Sequence, residues 1–430
     1  MSSSTGSPAP GSFKKTAVLI GIGSAFSMLG DSTVYTVLPL HTGAAGITLA
    51  GAGVLMGANR FVRLLSNPVS GYIYDLGTKK GFFCASLFIG ALSTFMLALL
   101  RGFWPLFAAR VLWGVAWSGI SIGGTGILLE QTDSESRGRW IGYYHLWVIT
   151  GNSLGAFMGG FFSDIIGYRG AMIINGSISL ISAAGVFLLF FSGGTAAVTE
   201  TAPFPEKTGL LRKLRQIPSG IFTVFSLQVK SVFRKGADKR LAAAAGILGL
   251  SRFVFSGFLM ALISIITREK ISPWIAFVGV STLTGVVGGS KTLVSMVSAP
   301  ASGIISDRIK DRWAAAAASL FLGSFGLFLI TLKPPLFPFA GILFCAVPGS
   351  SIMVLMRTLA GECAGRESQG RSAGLVLTAG DLGSALGPPF AFFLLPVLGI
   401  DIMFRTLSLL LMVSAFIIIF FIRKTAGRRS

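Results

Sequence analysis

Two ionisable residues interrupt long apolar stretches of the sequence at positions where they could exchange a proton. Asp31 lies in the second half of the first apolar stretch, and Arg110 lies in the first half of the fourth. If consecutive stretches cross a membrane in opposite directions, both residues fall at a similar depth. A carboxyl group ionises readily beside an arginine and keeps its proton when the arginine is engaged elsewhere. The two residues are therefore a candidate proton-coupling pair; the alternative is a static ion pair that only fixes packing.

A second group of polar and aromatic residues predicts a cavity for a small solute. Arg252 and Asp381 lie at similar depths in the seventh and eleventh stretches, where they would pair near the midplane. A structural role in its own helix is an equal alternative for Asp381. Arg63 is expected to extend to the membrane surface, with substrate contact as the alternative. Cations outnumber acids among the candidates, which favours an anionic or amphiphilic solute. The predicted cavity residues are Asn59, Arg60, Trp113, Tyr144, Arg252 and Asp381.

The composition indicates that these residues lie in membrane helices. Of 430 residues, 52% are hydrophobic and 12% are charged, whereas soluble domains carry about a quarter charged residues. Twelve apolar stretches have the ~20 residues or more that a membrane-spanning helix needs. The stretches lie near 16–38, 46–74, 81–100, 104–129, 139–163, 170–193, 241–267, 274–304, 314–332, 336–360, 372–397 and 402–422. We therefore predict an all-α polytopic membrane protein with twelve transmembrane helices.

The charge distribution indicates the topology. Residues 1–13 form a polar tail without the features of a cleaved signal peptide. With a cytoplasmic N-terminus, most lysines and arginines fall in loops on the cytoplasmic side, as the positive-inside rule requires. The net charge of +20 is therefore a topology signal and does not indicate nucleic-acid binding. We predict a multi-pass protein of the inner or plasma membrane with both termini in the cytoplasm.

An internal repeat with an offset of 232 residues divides the chain into two halves. SGYIYD at 70–75 corresponds to SGIISD at 302–307, and ESRGR at 135–139 corresponds to ESQGR at 367–371. Parallel halves of this kind place a substrate site near the midplane of their interface. The predicted segments are a disordered cytoplasmic tail at 1–13, an N-terminal six-helix half at 14–194, a basic cytoplasmic linker at 195–239, a C-terminal six-helix half at 240–424 and a cytoplasmic tail at 425–430.

Three motifs support one family resemblance. The repeated turns match G-x-x-x-D-R-x-G-R-R/K, although Leu76 and Thr78 depart from it in the first copy. R-x-x-x-G is present at Arg110 and Gly114, and the fifth stretch contains most of G-x8-G-x3-G-P-x2-G-G, with Ala156 in place of the proline. In these motifs the sequence resembles the major facilitator superfamily, and the likeness covers nearly the whole chain.

The resemblance implies a latch at the cytoplasmic ends of the helices. In that family, acids and cations there are thought to hold the cytoplasmic side closed in the outward-facing state. Glu130 is expected to pair with Lys80, and Glu362 with Arg312. The alternative is that the cations only anchor the topology, although an anchor needs no acid. The predicted gate residues are Gly71, Asp75, Lys80, Glu130, Gly303, Asp307, Arg308, Arg312 and Glu362.

Glycines in the fifth and eleventh helices predict smooth helix faces. Small residues spaced four positions apart lie on one helix face and allow helices to pack closely. In the family that the sequence resembles, these two helices face the opposite half, so such faces suit a rocking motion. Ordinary tight packing without motion is the alternative. The predicted interface glycines are Gly151, Gly155, Gly159, Gly383 and Gly387.

These features predict a secondary transporter that exports a small organic solute by alternating access in exchange for protons. Uptake of an organic anion is the second hypothesis, and a non-transporting membrane sensor or scaffold is the third. The sequence has no P-loop and no H-E-x-x-H motif, which argues against an enzyme, and it predicts no catalytic residue, cofactor or metal site. The expected partners are the solute, protons and the lipid bilayer, without nucleic acid, and we expect a monomer.

Overall fold

The computed structural model describes residues 10–76, 79–133, 136–192, 239–275, 277–309, 311–363 and 369–426. Within these ranges the chain is helical between short connections and contains no β-strand. The all-α fold class is confirmed. The predicted linker lies outside the described residues except for Lys239, and so do the tail residues 1–9 and 427–430.

The described part of the N-terminal half forms a series of long helices. They are α1 (Pro10–Val37), α2 (Leu49–Leu76), α3 (Lys79–Leu99), α4 (Phe103–Glu130), α5 (137–166) and α6 (168–191). Short helical turns at Leu38–Leu40 and Thr42–Ala45 connect α1 with α2. α5 and α6 belong to one helical segment that bends at Gly167, where φ is 76°. Glycine adopts this left-handed conformation without steric cost, so the chain can turn there without a longer loop.

The described part of the C-terminal half follows the same order. Its long helices are α7 (239–271), α8 (Val280–Ile309), α9 (Arg312–Ile330), α10 (Leu336–Cys363), α11 (369–398) and α12 (400–426). α7 contains two π-helical stretches, Arg252–Phe258 and Thr267–Ile271. α11 and α12 meet at Gly399, where φ is 67°. This turn lies 232 residues after Gly167, so the repeat found in the sequence also relates the two glycine turns.

The count of twelve spans remains a prediction. In the described residues, eight segments are long and apolar enough to cross a membrane. Two of them, Arg137–Phe191 and Gly374–Phe420, each contain a pair of helices. α2 and α8 are not among the eight, because their apolar residues are interspersed with polar and charged ones.

Glycines bring the first and fifth helices of each half into close contact. A Cβ atom added at Gly155 of α5 would lie 2.7 Å from the Leu29 Cα of α1, and Gly151 and Gly159 also contact α1. In the C-terminal half, a Cβ atom at Gly387 of α11 would meet the backbone of Gly257 in α7, and Gly383 also contacts α7. The predicted glycine faces therefore lie inside each half, whereas the family resemblance placed them towards the opposite half.

The closest approaches between the two halves in the described residues lie towards one end of the bundle. The odd-numbered helices begin at one end of the bundle, which we call the basic end. The even-numbered helices begin at the other end, which we call the opposite end. Towards the opposite end α5 packs on α8, since a Cβ atom at Gly285 would lie 2.5 Å from the Ala156 carbonyl oxygen. α2 likewise packs on α11, where a Cβ atom at Gly53 would lie 2.8 Å from the Pro388 carbonyl oxygen. These contacts close the opposite end.

Candidate functional site

An ion pair between α1 and α4 lies at the centre of the candidate site. Arg110 Nη1 donates a hydrogen bond of 2.6 Å to Asp31 Oδ1. The Arg110 side chain is 0% exposed and the Asp31 side chain 12% exposed. Arg110 Nε also donates to the Leu55 carbonyl oxygen of α2 at 3.1 Å, and Asn59 Nδ2 donates to Asp31 Oδ1 at 3.3 Å. The pair thus joins three helices of the N-terminal half.

Tyr35 extends this network towards Arg60. The Tyr35 ring lies 5.5 Å from the Arg60 guanidinium carbon and 5.7 Å from that of Arg110. Its hydroxyl donates to the Met56 carbonyl oxygen at 2.7 Å and accepts from Arg60 Nε at 3.3 Å. Tyr35 is not among the residues predicted for the site. Its position one helical turn after Asp31, on the same helix face, is the signal that could have identified it.

A cavity of about 620 Å³ lies between α2 of the N-terminal half and α7, α10 and α11 of the C-terminal half. Its charged lining residues are Arg63, Arg252, Arg357 and Asp381. Apolar residues, including Leu248 and Met353, line other parts of its wall. These residues lie in the parts of their helices nearer the basic end, so the cavity belongs to that side of the bundle.

The acid in this cavity has a different partner from the one expected. Asp381 Oδ1 accepts from Arg63 Nη2 at 3.4 Å, across the boundary between the halves. The expected pair with Arg252 is absent; Arg252 Nη1 instead donates to Ser256 Oγ at 3.2 Å, four residues later in α7. Arg63 therefore does not simply extend to the membrane surface, because α2 packs beside α11 and turns this side chain towards the cavity. Arg357 is a cavity residue that the sequence analysis missed.

Four predicted cavity residues lie outside the lining of this cavity. Trp113 is 2% exposed and Tyr144 is 3% exposed, and both belong to a hydrophobic cluster of the N-terminal half. The Trp113 ring stacks on that of Trp117, with 6.4 Å between the ring centroids. Neither residue lines the cavity described above. Asn59 and Arg60 also lie outside its lining, and contact Asp31 and Tyr35 instead.

Ion pairs at the basic end join residues of the same half. In the N-terminal half, Lys79 Nζ donates to Glu130 Oε1 at 2.6 Å, so Lys79 takes the place expected for Lys80. The Lys80 ammonium lies 5.6 Å from the centroid of the Phe190 ring. Asp75 is exposed and forms no ion pair with the residues that the structure describes.

The second copy of the motif forms a similar cluster in the C-terminal half. Arg312 Nε donates to Glu362 Oε1 at 2.6 Å, as expected, and Arg312 Nη1 lies 3.1 Å from Asp307 Oδ1. Arg308 is exposed to solvent. A Cβ atom added at Gly303 would lie 3.9 Å from Val354 Cγ1, and one added at Gly71 would have no neighbouring side chain or helix within 4 Å. Between described residues, the ion pairs of the repeated motif thus join residues of the same half in this conformation.

At the opposite end, a carboxylate of one half caps a helix of the other. Asp164 Oδ1 accepts from the Ser281 backbone N–H at 3.2 Å, and Oδ2 accepts from the Thr282 backbone N–H at 2.7 Å. Both N–H groups belong to the first turn of α8, where a negative charge is favoured by the helix dipole. His41 Nε2 lies nearby, 3.1 Å from Ser163 Oγ and 3.4 Å from Ser281 Oγ. This capping stabilises the closed opposite end.

A family model described as Major Facilitator Superfamily matches residues 20–388 and 281–430. The chain belongs to the Major Facilitator Superfamily. The resemblance based on the signature motifs is thereby confirmed, and the chain is a multi-pass membrane protein of this superfamily.

Curated relatives in the superfamily match part of the chain. Quinolone resistance protein NorA of Staphylococcus aureus (strain MRSA252) is 28% identical over 137 residues, which are 32% of this chain and 35% of that protein. Uncharacterized transporter BU588 of Buchnera aphidicola subsp. Acyrthosiphon pisum (strain APS) is 26% identical over 179 residues, or 41% of this chain and 42% of that protein. The match thus spans about a third of the length of NorA.

Solved structures of superfamily members share the fold. A bacterial homolog to the human lysosomal transporter Spinster, in an inward-facing and unoccupied conformation, gives a TM-score of 0.72 at 15% identity, covering 95% of this chain and 96% of that chain. A peptide transporter POT in complex with sulfate gives 0.75 at 12% identity, covering 95% and 94%. At these identities the comparison establishes the superfamily fold.

Proposed function

We propose that this superfamily member is a secondary active transporter that exports a small organic solute in exchange for protons. The observation that supports this most directly is the buried ion pair between Asp31 and Arg110. Ionisable residues inside membrane helices are costly and are usually retained for function. The pair lies in the N-terminal half, whereas most of the cavity wall belongs to the C-terminal half. α2 contacts both the pair and the cavity, so a change in the charge of the pair can be transmitted through α2.

Protonation of Asp31 would couple the proton to a conformational change. A neutral Asp31 leaves the buried Arg110 without its counter-charge, and removing one partner of a buried pair typically costs about 3–5 kcal/mol. A free energy of that size shifts a conformational equilibrium by about a hundredfold or more. Arg110 would then favour an arrangement in which another acceptor or water reaches it. Tyr35, which contacts both Arg110 and Arg60, is placed to follow that movement.

Alternating access requires that the two ends of the bundle open in turn. In this conformation the contacts across the halves close the opposite end, and the cavity lies on the basic side. With the basic end in the cytoplasm of a cell-membrane protein, solute would enter from the cytoplasm. The predicted gate acids Asp75 and Asp307 would then meet the other half only after the basic end closes.

The direction of transport is supported by one relative. The partial match to Quinolone resistance protein NorA connects the chain with a protein whose name describes drug resistance. Resistance through a membrane protein of this superfamily fits removal of the drug from the cell. We therefore favour export, with the protein acting as a monomer.

Asp31→Asn in proteoliposomes tests the proposal. The substitution removes the titrating group but preserves the shape and much of the hydrogen bonding. We expect exchange of a solute identified from a panel to continue, while accumulation driven by a pH gradient and the accompanying proton flux are lost. Asp401→Asn is a matched control, because Asp401 pairs with Lys270 inside one half at the opposite end. Full pH-driven transport by Asp31→Asn would refute the proton role and make Asp381 the next carboxylate to test.

A second candidate function is the uptake of an organic anion with protons. The arginines that line the cavity favour it. The same liposomes distinguish the two directions, because export and uptake require pH gradients of opposite sign relative to the solute gradient. The basic end of the inserted protein must be oriented for this measurement, for example by selective proteolysis of the exposed side.

A further inference from the structure

The cavity contains more positive charge than its own acid neutralises. Three guanidinium groups and one carboxylate line it. The carboxylate of Asp381 lies 3.4 Å from Arg63. Among the residues that the structure describes, Arg252 and Arg357 form no ion pair. Within the described residues, two guanidinium groups therefore line the cavity without a carboxylate at ion-pair distance.

Neighbouring charges make this excess larger. Arg252 lies close enough to Arg60, Arg63 and Arg357 for their positive charges to repel one another, and Asp381 provides the opposing attraction. Lys291 of α8 lies within electrostatic reach of Arg60 and Arg252. Like charges gathered in a partly dehydrated site raise its free energy. A bound anion would lower that free energy.

We infer that this cavity selects a small organic anion, with its carboxylate, sulfonate or phosphate group between Arg252 and Arg357. The inference rests on the proposed transport function and names the class of its solute. Guanidinium groups bind such oxyanions through paired, charge-assisted hydrogen bonds. Leu248 and Met353 provide apolar surface for the rest of the molecule. The volume of about 620 Å³ suits a small molecule, because ligand pockets usually span ~300–1,000 Å³.

Asp381 acts as an internal competitor for the anion in this arrangement. Its carboxylate pairs with Arg63 in this conformation and repels an incoming anion. Removing its charge should therefore strengthen anion binding, whereas removing Arg252 or Arg357 should weaken it. Opposite effects from residues of one cavity distinguish an electrostatic site from a general loss of structure.

Equilibrium binding of three matched probes tests the solute class. The probes are 2-naphthoate, 2-naphthamide and 2-naphthylmethylammonium, which share one ring system and carry negative, neutral and positive charge. Titration calorimetry on the purified full-length protein in detergent at neutral pH measures their dissociation constants. We expect 2-naphthoate to bind at least about tenfold more tightly than the other two, as for one charge-assisted hydrogen bond. The same series on a six-carbon chain (hexanoate, hexanamide and hexylammonium) shows whether the ring matters.

Four variants then assign the site. Arg252→Gln and Arg357→Gln should each weaken 2-naphthoate binding about tenfold and leave 2-naphthamide nearly unchanged. Asp381→Asn should strengthen 2-naphthoate binding several-fold. Arg268→Gln is the matched control, because the Arg268 side chain is 51% exposed and its nearest acid is the adjacent Glu269. It should leave all three probes unaffected.

Several results would overturn the inference. They are equal binding of the charged and neutral probes, no binding of either anion, tighter binding of the ammonium probes, and an anion preference that survives in both arginine variants. The measurement needs no proton gradient and no transport. A failed Asp31→Asn transport test would therefore refute the proposed coupling without affecting this result, and a failed binding test would leave the coupling intact.

Discussion

The two ends of the helical bundle differ in the residues that hold them. At the opposite end, the Asp164 carboxylate of one half accepts hydrogen bonds from Ser281 and Thr282 of the other half, at 3.2 and 2.7 Å. At the basic end, Glu130 and Glu362 each accept from a cation of their own half at 2.6 Å. The first set joins the halves, and the second set organises each half separately.

This difference follows the internal repeat. Glu130 and Glu362 are equivalent residues in the two halves, whereas the position equivalent to Asp164 is occupied by Pro396. The repeated motif therefore folds each half in the same way, whereas the Asp164 cap is a contact of the opposite end that is present once. The helix packing across the halves follows the repeat as well, because Gly53 and Pro388 are equivalent to Gly285 and Ala156. The cap adds a contact that breaks this symmetry.

The largest expected effect comes from removing the cap on α8. Asp164→Asn loses the charge that two backbone N–H groups and the α8 dipole favour, which is commonly worth ~1–2 kcal/mol. We expect the population with the opposite end open to rise about tenfold. Spin labels at the exposed positions 104 and 336 report this opening through the distance between them. These positions are where α4 and α10 begin, at the opposite end of the bundle.

Asp401→Asn provides the control for the Asp164 measurement. Asp401 is also an acid at the opposite end, but its partner Lys270 belongs to the same half. The label distances should remain as in the unmodified protein. An equal shift in both variants would mean that the change reflects the loss of any acid there rather than the link between the halves.

A pair of glycine substitutions sharpens the same comparison. Gly285 packs against Ala156 of the other half, whereas Gly383 packs against Gly249 of its own half. An added methyl group overpacks either site at a cost of ~1 kcal/mol or more. Gly285→Ala should open the opposite end about fivefold more often, with little change in thermal stability. Gly383→Ala should instead lower the unfolding temperature and leave the label distances unchanged; the reverse pattern would contradict the assignment of these two interfaces.

A smaller effect is expected from pH at the opposite end. His41 lies in the connection between α1 and α2, and its ring stacks on Tyr168 with 6.3 Å between centroids. Burial lowers the pKa of His41, and the nearby Asp164 charge opposes this with a smaller rise. The closed conformation therefore binds fewer protons at this residue than one in which His41 is exposed with a pKa near 6.5. Closure should be fully retained above that pKa and weaken as the pH falls below it.

The same spin labels measure the pH effect. Between pH 7.5 and 5.5, the open population should rise by about threefold in the unmodified protein. His41→Gln should remove this response, since glutamine does not titrate and can still contact Ser163 and Ser281. Tighter closure in acid, or an unchanged response in His41→Gln, would show that another group controls the pH dependence.

The sequence predicted how deep a residue lies along its helix better than the direction in which its side chain points. The rise of ~1.5 Å per residue fixes how far a residue lies from a helix end, which is why Asp31 and Arg110 were expected at one level. The direction of a side chain depends on neighbouring helices that the sequence does not specify. Trp113 is three residues after Arg110, yet it faces the core of the N-terminal half.

Small differences in direction also decided which ion pairs formed. Lys79 and Lys80 are adjacent and about 100° apart around a helix, and the turn before α3 directs Lys79 towards Glu130. Asp381 pairs with Arg63 because α2 and α11 are neighbours across the halves. The repeat does not predict this pair, because the equivalent positions, Ser295 and Ile149, carry no charge.

The smallest effect should come from the repeated acids at the basic end. Glu130→Gln and Glu362→Gln weaken pairs whose acid side chains are 36% and 51% exposed, so each pair contributes about 1 kcal/mol or less. Each pair lies within its own half, so the loss of either pair should not change the relative position of the halves in this conformation. Labels at positions 138 and 309, on opposite halves at the basic end, should show a change below about twofold in population. A large shift in either variant would show that these acids join the halves after all, and the contrast between the two ends would then no longer hold.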